Sequence, residues 1–232
     1  MAELKNRFFG EVTGAFGDVV YRVRKGKNFT ARKPKQYKKQ QTEQYIKRTN
    51  TFRMSIKLSS MINSVPELHN FLKTGIVTNQ SPYEYLLSRS MKGLFNKSSI
   101  ERFPITPEKG FGVEIDETVF DGKLLTFRIK PLLSSSMIDT SIEKKFKLIS
   151  IIQAIEPNTE IDAPYSFLKL QSESIVSSVE DNLEFTLNLS TADKQLMELY
   201  NTYVTNSTII TYDENDNPLK YSNTMYTTIQ KT

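Results

Sequence analysis

Residues 183–189 read Leu-Glu-Phe-Thr-Leu-Asn-Leu, a strict alternation of apolar and polar side chains. A period of two places every second residue on one buried face, which a strand satisfies and a helix does not. Comparable segments recur through the second half of the chain: Phe111 to Ile115, Leu124 to Ile129, Tyr165 to Leu170, Thr208 to Tyr212 and Tyr221 to Tyr226. Phe146 to Ile155 is apolar almost throughout and reads as a central strand. Asp121-Gly122 and the segment Asp213 to Pro218 supply hairpin loops, and a short helix is expected over Ala192 to Tyr200. About seven strands in about 120 residues predict an antiparallel, immunoglobulin-like β-sandwich over residues 101–232.

The first hundred residues carry other patterns. Val19 to Arg32 alternates around Lys25-Gly26, predicting a β-hairpin whose tight turn uses the freedom of Gly26 to take positive φ. Thr42 opens a helix with Glu43 in its first turn, and Tyr45, Thr49, Phe52, Ile56 and Ser59/Ser60 form its expected packed stripe. Pro66 and Ser81-Pro82 start two more helices. The expected organisation is α+β: a basic hairpin arm and helices over residues 1–100, then the sandwich.

Charge divides the chain nearly along the same line. Residues 1–57 hold 15 Lys and Arg against four acids, a net +11, and the remainder is −6, which together give the overall +5. Such a block is the footprint of a segment that meets a polyanion. The candidate phosphate contacts are Arg22, Arg24, Lys25, Lys27, Arg32, Lys33, Lys35, Lys38, Lys39, Lys47 and Arg48. Tyr21, Phe29 and Tyr37 are candidate stacking residues. Residues 33–39, Lys-Pro-Lys-Gln-Tyr-Lys-Lys, suit either an extended strap along a phosphate backbone or a solvated connector.

Other chemistries find little support. The chain has no Cys and one His, so thiol nucleophiles, zinc-cysteine sites and multi-histidine metal sites are excluded. The glycines at 10, 14 and 17 match neither the P-loop nor the dinucleotide fingerprint, and are read as shaping a turn. The Asp213 loop has Pro218 where a calcium-binding EF-hand loop needs glycine. No metal, cofactor, small-molecule substrate or catalytic set is expected, nor an export signal or membrane segment. A cytoplasmic protein, or a component of a particle assembled there, is expected.

Gly10, Gly14, Gly17, Val19-Val20, Gly26, Arg32 and Pro34 together resemble the opening of an uncharacterised domain family common in Bacteroidota. The resemblance continues through Thr42, Gln44, Arg48 and Phe52 to Tyr200, Tyr203, Asp213 and the closing segment Tyr221 to Tyr226. Tryptophans usual in the middle of that family are absent here. The family has no established activity to carry over, so the resemblance bears on architecture. The expected function is a non-enzymatic module that contacts nucleic acid or another polyanion through its N-terminal segment while the β-domain docks on a protein. The alternative is a structural subunit of a phage particle, contractile tail or similar assembly, with the arm clasping neighbouring subunits.

Overall fold

The computed structural model describes residues 2–3, 13–33, 42–76, 79–95, 102–132, 136–159 and 164–231. The first strands are β1 (Ala2–Glu3), β2 (Gly14–Phe16), β3 (Val19–Arg24) and β4 (Lys27–Arg32). Helices α1 (Glu43–Asn63), α2 (Pro66–Gly75) and α3 (Pro82–Phe95) follow. The rest is β5 (Ile115–Phe120), β6 (Leu124–Ile129), β7 (Lys145–Pro157), β8 (Tyr165–Gln171), β9 (Ile175–Val176), β10 (Leu183–Asn188), α4 (Thr191–Glu198), β11 (Tyr200–Tyr212), β12 (Pro218–Tyr221) and β13 (Met225–Gln230). The chain is thus mixed α+β with antiparallel sheets.

Two compact units divide at Tyr45/Ile46. The first holds a four-stranded sheet in the order β1-β4-β3-β2. Its centre is the hairpin expected over Val19 to Arg32, in register from Val19↔Arg32 to Arg24↔Lys27.

The second unit is built on β7 and β11, which pair antiparallel from Tyr200↔Pro157 to Tyr212↔Lys145. They lie at the middle of a six-stranded sheet ordered β12-β11-β7-β8, with β13 also on β11 and β9 on β7. On one face Phe146, Leu148, Ile152 and Ala154 join Tyr203 and Ile209 in a core shared with the three-stranded sheet β10-β6-β5. That smaller sheet contributes Leu125, Phe127 and Ile129 against Leu183, Phe185 and Leu187, the alternation read from the sequence. On the other face Ile149, Ile151, Ile210 and Tyr212 pack with Leu58 and Ile62 of α1, Leu68 and Leu72 of α2, and Leu86 of α3. The central strands are therefore covered twice, which is why β7 reads as a nearly continuous apolar run.

Several expectations are corrected. The division falls at residue 45 rather than near 100, because the inward faces of α1–α3 and the six-stranded sheet share one core. The stripe expected on α1 is displaced: Met54, Ser55, Leu58, Ser59 and Ile62 are buried, while Tyr45 and Phe52 are 37% and 46% exposed. Residues 43–48 are exposed on every side, so the periodicity in the first turns marks no buried face among the described residues. Phe111 makes a single bridge, to Ser222, and the strand expected over Phe111 to Ile115 instead begins at Ile115. Phe111 and Val113 still pack into the core, so their alternation records packing of an irregular segment. The strand expected over Thr208 to Tyr212 starts eight residues earlier, at Tyr200. The one expected over Tyr221 to Tyr226 is two strands, β12 and β13, lying successively along β11.

Candidate polyanion-binding surface

The basic hairpin turns on two residues in the left-handed region, Lys25 at φ 51° and Gly26 at φ 70°. Two consecutive positive φ values define the mirror-image turn whose twist matches paired strands. At the other end, Gly17 at φ 55° opens the two-residue turn joining β2 to β3. These turns fix the register, and the register fixes which side chains share a face.

Directly opposed residues lie on the same face of an antiparallel pair. Arg22 opposes Phe29, Arg24 opposes Lys27, and Val20 opposes Ala31. One face therefore carries Arg22, Arg24, Lys27 and Phe29. Tyr21 opposes Thr30 and Val19 opposes Arg32, so Tyr21 and Arg32 belong to the other face. Lys25 sits at the tip and Lys33 just beyond β4, its N–H 2.6 Å from the Asp18 carbonyl oxygen. Arg22, Arg24, Lys25, Lys27, Arg32 and Lys33 are exposed, and Tyr21 and Phe29 are half-buried. Placing Arg24 opposite Lys27 sets like charges across a ladder, an arrangement that a bound anion relieves.

The other candidates fall elsewhere. Lys47 and Arg48 are exposed on α1, in the second unit. Lys35, Tyr37, Lys38 and Lys39 lie outside the described residues, as do Gly10 and Pro34 of the family-like opening.

A basic surface that the sequence reading did not assemble lies within the second unit, between α1 and β8. Lys57 Nζ stands 5.6 Å from the centroid of the Tyr165 ring, and Lys169 Nζ is 3.5 Å from Ser64 Oγ. Tyr165 and Phe167 are ring neighbours, with centroids 5.7 Å apart. Burial raises the Tyr165 phenol above its ordinary range, and the nearby Arg53 guanidinium partly offsets this. The signal was hidden because Ser64 and Lys169 are 105 positions apart.

Among the described residues no group of three or more His, Cys, Asp or Glu side chains could hold a metal ion. His69 Nδ1 lies 2.9 Å from Asn63 Oδ1, a bond that ties α2 to the end of α1. No described helix is long and apolar enough to cross a membrane.

No family model matches the chain, and no curated protein matches it.

Proposed function

We propose that the chain is a non-enzymatic binding protein whose N-terminal unit contacts nucleic acid or another polyanion, while the β-rich unit docks on a protein. The observation that carries this is the register of β3 and β4, which gathers Arg22, Arg24 and Lys27 with Phe29 on one sheet face beside Lys25 at the turn. Three cations and an aromatic ring on a flat strand surface suit a phosphate backbone with a base or sugar laid against the ring. Such contacts release counterions, so binding is salt-dependent and largely indifferent to sequence.

The test is fluorescence anisotropy with a generic duplex and a generic single strand over a salt series. About five phosphate contacts predict roughly a 100- to 1,000-fold loss of affinity between 50 and 200 mM salt. Paired charge reversal, Arg22→Glu with Arg24→Glu, should flatten that dependence. No binding at low salt, or binding indifferent to salt, contradicts the proposal.

A second reading, a structural subunit of a particle or contractile assembly, is favoured by Phe16, which is 82% exposed on the three-residue edge strand β2. An edge of this kind can accept a strand from a neighbouring chain. Sedimentation at rising concentration distinguishes it, since self-association reversed by Phe16→Asp supports clasping.

The immunoglobulin-like character of the β-rich unit is part of the same proposal. It is supported by two antiparallel sheets around one core, and by the Tyr203 hydroxyl reaching back 2.9 Å to the Tyr200 carbonyl oxygen. An upstream main-chain bond of this type is what the tyrosine corner of such sandwiches makes. Kinship with the Bacteroidota family rests on the positive-φ turns at Gly17 and Gly26 and on the closing strands.

A further inference from the structure

A groove of about 530 Å³ runs between α1 and the edge strand β8. Its walls combine Lys57 and Ser60 of the helix and Ser64 just beyond its end with Ser166, Phe167 and Lys169 from the strand. Some cations on this unit hold acids: Arg128 holds Glu117 at 2.7 Å and Glu184 at 3.1 Å, Lys130 holds Glu114 at 3.1 Å, and Lys145 holds Asp216 at 2.7 Å. Arg53, Lys57 and Lys169 have no carboxylate within ion-pair distance among the described residues. Arg53 and Lys57 are four residues apart and so rise on the same side of α1. No described acid lines the groove.

We propose that this groove is a second binding site, and that its occupant is single-stranded nucleic acid. Lys57 and Lys169 hold the phosphate, the serine hydroxyls donate to its oxygens, and an unstacked base lies against Phe167. Three features select this occupant. The unpaired positive charge calls for an anion. The aromatic wall calls for a flat apolar partner. A duplex, whose bases are stacked inside, offers its phosphates but no free base face to the ring. The inference rests on the polyanion-binding reading above and adds to it a preference for single strands.

The test uses the full chain, a fluorescent oligothymidylate and a duplex of equal length. Lys57 and Lys169 are exposed, so the double substitution Lys57→Glu/Lys169→Glu leaves the core untouched. Single-strand binding should weaken about tenfold or more and its salt slope should fall by about one to two, while duplex binding changes little. Phe167→Leu should reduce single-strand affinity by about tenfold without altering the salt slope, because it removes a stacking surface and no charge. Photocrosslinking a thiothymidine oligonucleotide should mark Phe167 or Tyr165. If the oligonucleotide binds but the groove substitutions leave affinity unchanged and crosslinks map only to the hairpin, the groove proposal fails and the hairpin reading stands. If the unaltered chain binds neither probe at low salt, both fail.

Discussion

Tyr212 sits on the helix-facing side of β11, and its hydroxyl donates to Glu67 Oε1 of α2 at 3.0 Å. Burial, and then the charge of Glu67, raise the phenol well above its ordinary range. A folded-state pKa above the unfolded value of about 10 gives a stabilisation complete below that pH and lost as pH rises beyond it. Tyr165, Tyr200, Tyr203, Tyr221 and Tyr226 are raised in the same direction, each chiefly by burial, so stability should fall steeply in alkali. Tyr212→Phe should lower stability at neutral pH by about 1–2 kcal/mol through the lost bond to a carboxylate. It should also make the decline above pH 10 shallower. Urea midpoints at pH 7 and at pH 10.5 check both effects, and an undiminished alkaline decline would exclude Tyr212 from the cause.

At the scale of elements, β11 shows what a sequence conceals. Every residue from Thr202 to Tyr212 is buried, yet six of them are polar: Thr202, Thr205, Asn206, Ser207, Thr208 and Thr211. Only Thr208 to Tyr212 reads as a strand, because Asn and Ser in the preceding stretch look like turn residues. Their partners explain why burial is tolerated. Asn206 Oδ1 accepts from Phe103 N at 3.1 Å, Ser207 Oγ donates to Ser150 Oγ at 2.8 Å, and Thr211 Oγ1 accepts from Lys220 N at 3.0 Å. The first two of these bonds come from segments 103 and 57 positions away, so no local pattern announces them. Ser222 does similar work where β12 gives way to β13, its Oγ accepting from Ile209 N at 2.9 Å. Ser222→Ala leaves that buried N–H without its side-chain acceptor and should cost about 1–3 kcal/mol. Hydrogen exchange at Ile209 should quicken selectively; exchange unchanged there would mean the bond contributes little.

The hairpin was legible for the opposite reason. Its turn, alternation and charges are contiguous, and a two-residue loop leaves one register available. The faces could thus be assigned from Arg22↔Phe29 and Arg24↔Lys27 alone. The α1–β8 groove offers no such contiguity, and the misplaced stripe on α1 obscured Lys57 further, since the helix's true inward face follows Ser55, Leu58 and Ile62.

For the molecule as a whole, the division at Tyr45/Ile46 separates the basic sheet from everything that buries the main core. Removing residues 1–41 keeps Thr42, whose Oγ1 accepts from Tyr45 N at 3.2 Å at the start of α1. The shortened chain should retain a cooperative thermal transition within a few degrees of the full chain and lose most of its duplex binding. Loss of the transition would show that the sheet of the first unit stabilises the second. Retained duplex binding would move the main contact surface away from the hairpin.

The double covering of β7 and β11 also has a price in time. During synthesis β7 leaves the ribosome well before β11, so the edge of β7 that β11 pairs stays open until then. At about 5–20 residues per second, its partner follows seconds later. A long apolar strand without its neighbour can pair with the wrong edge on that timescale. The nascent chain therefore needs α1–α3, already made, to shield one side of β7 while it waits. Variants that loosen these helices should lower soluble yield by more than their effect on equilibrium stability accounts for.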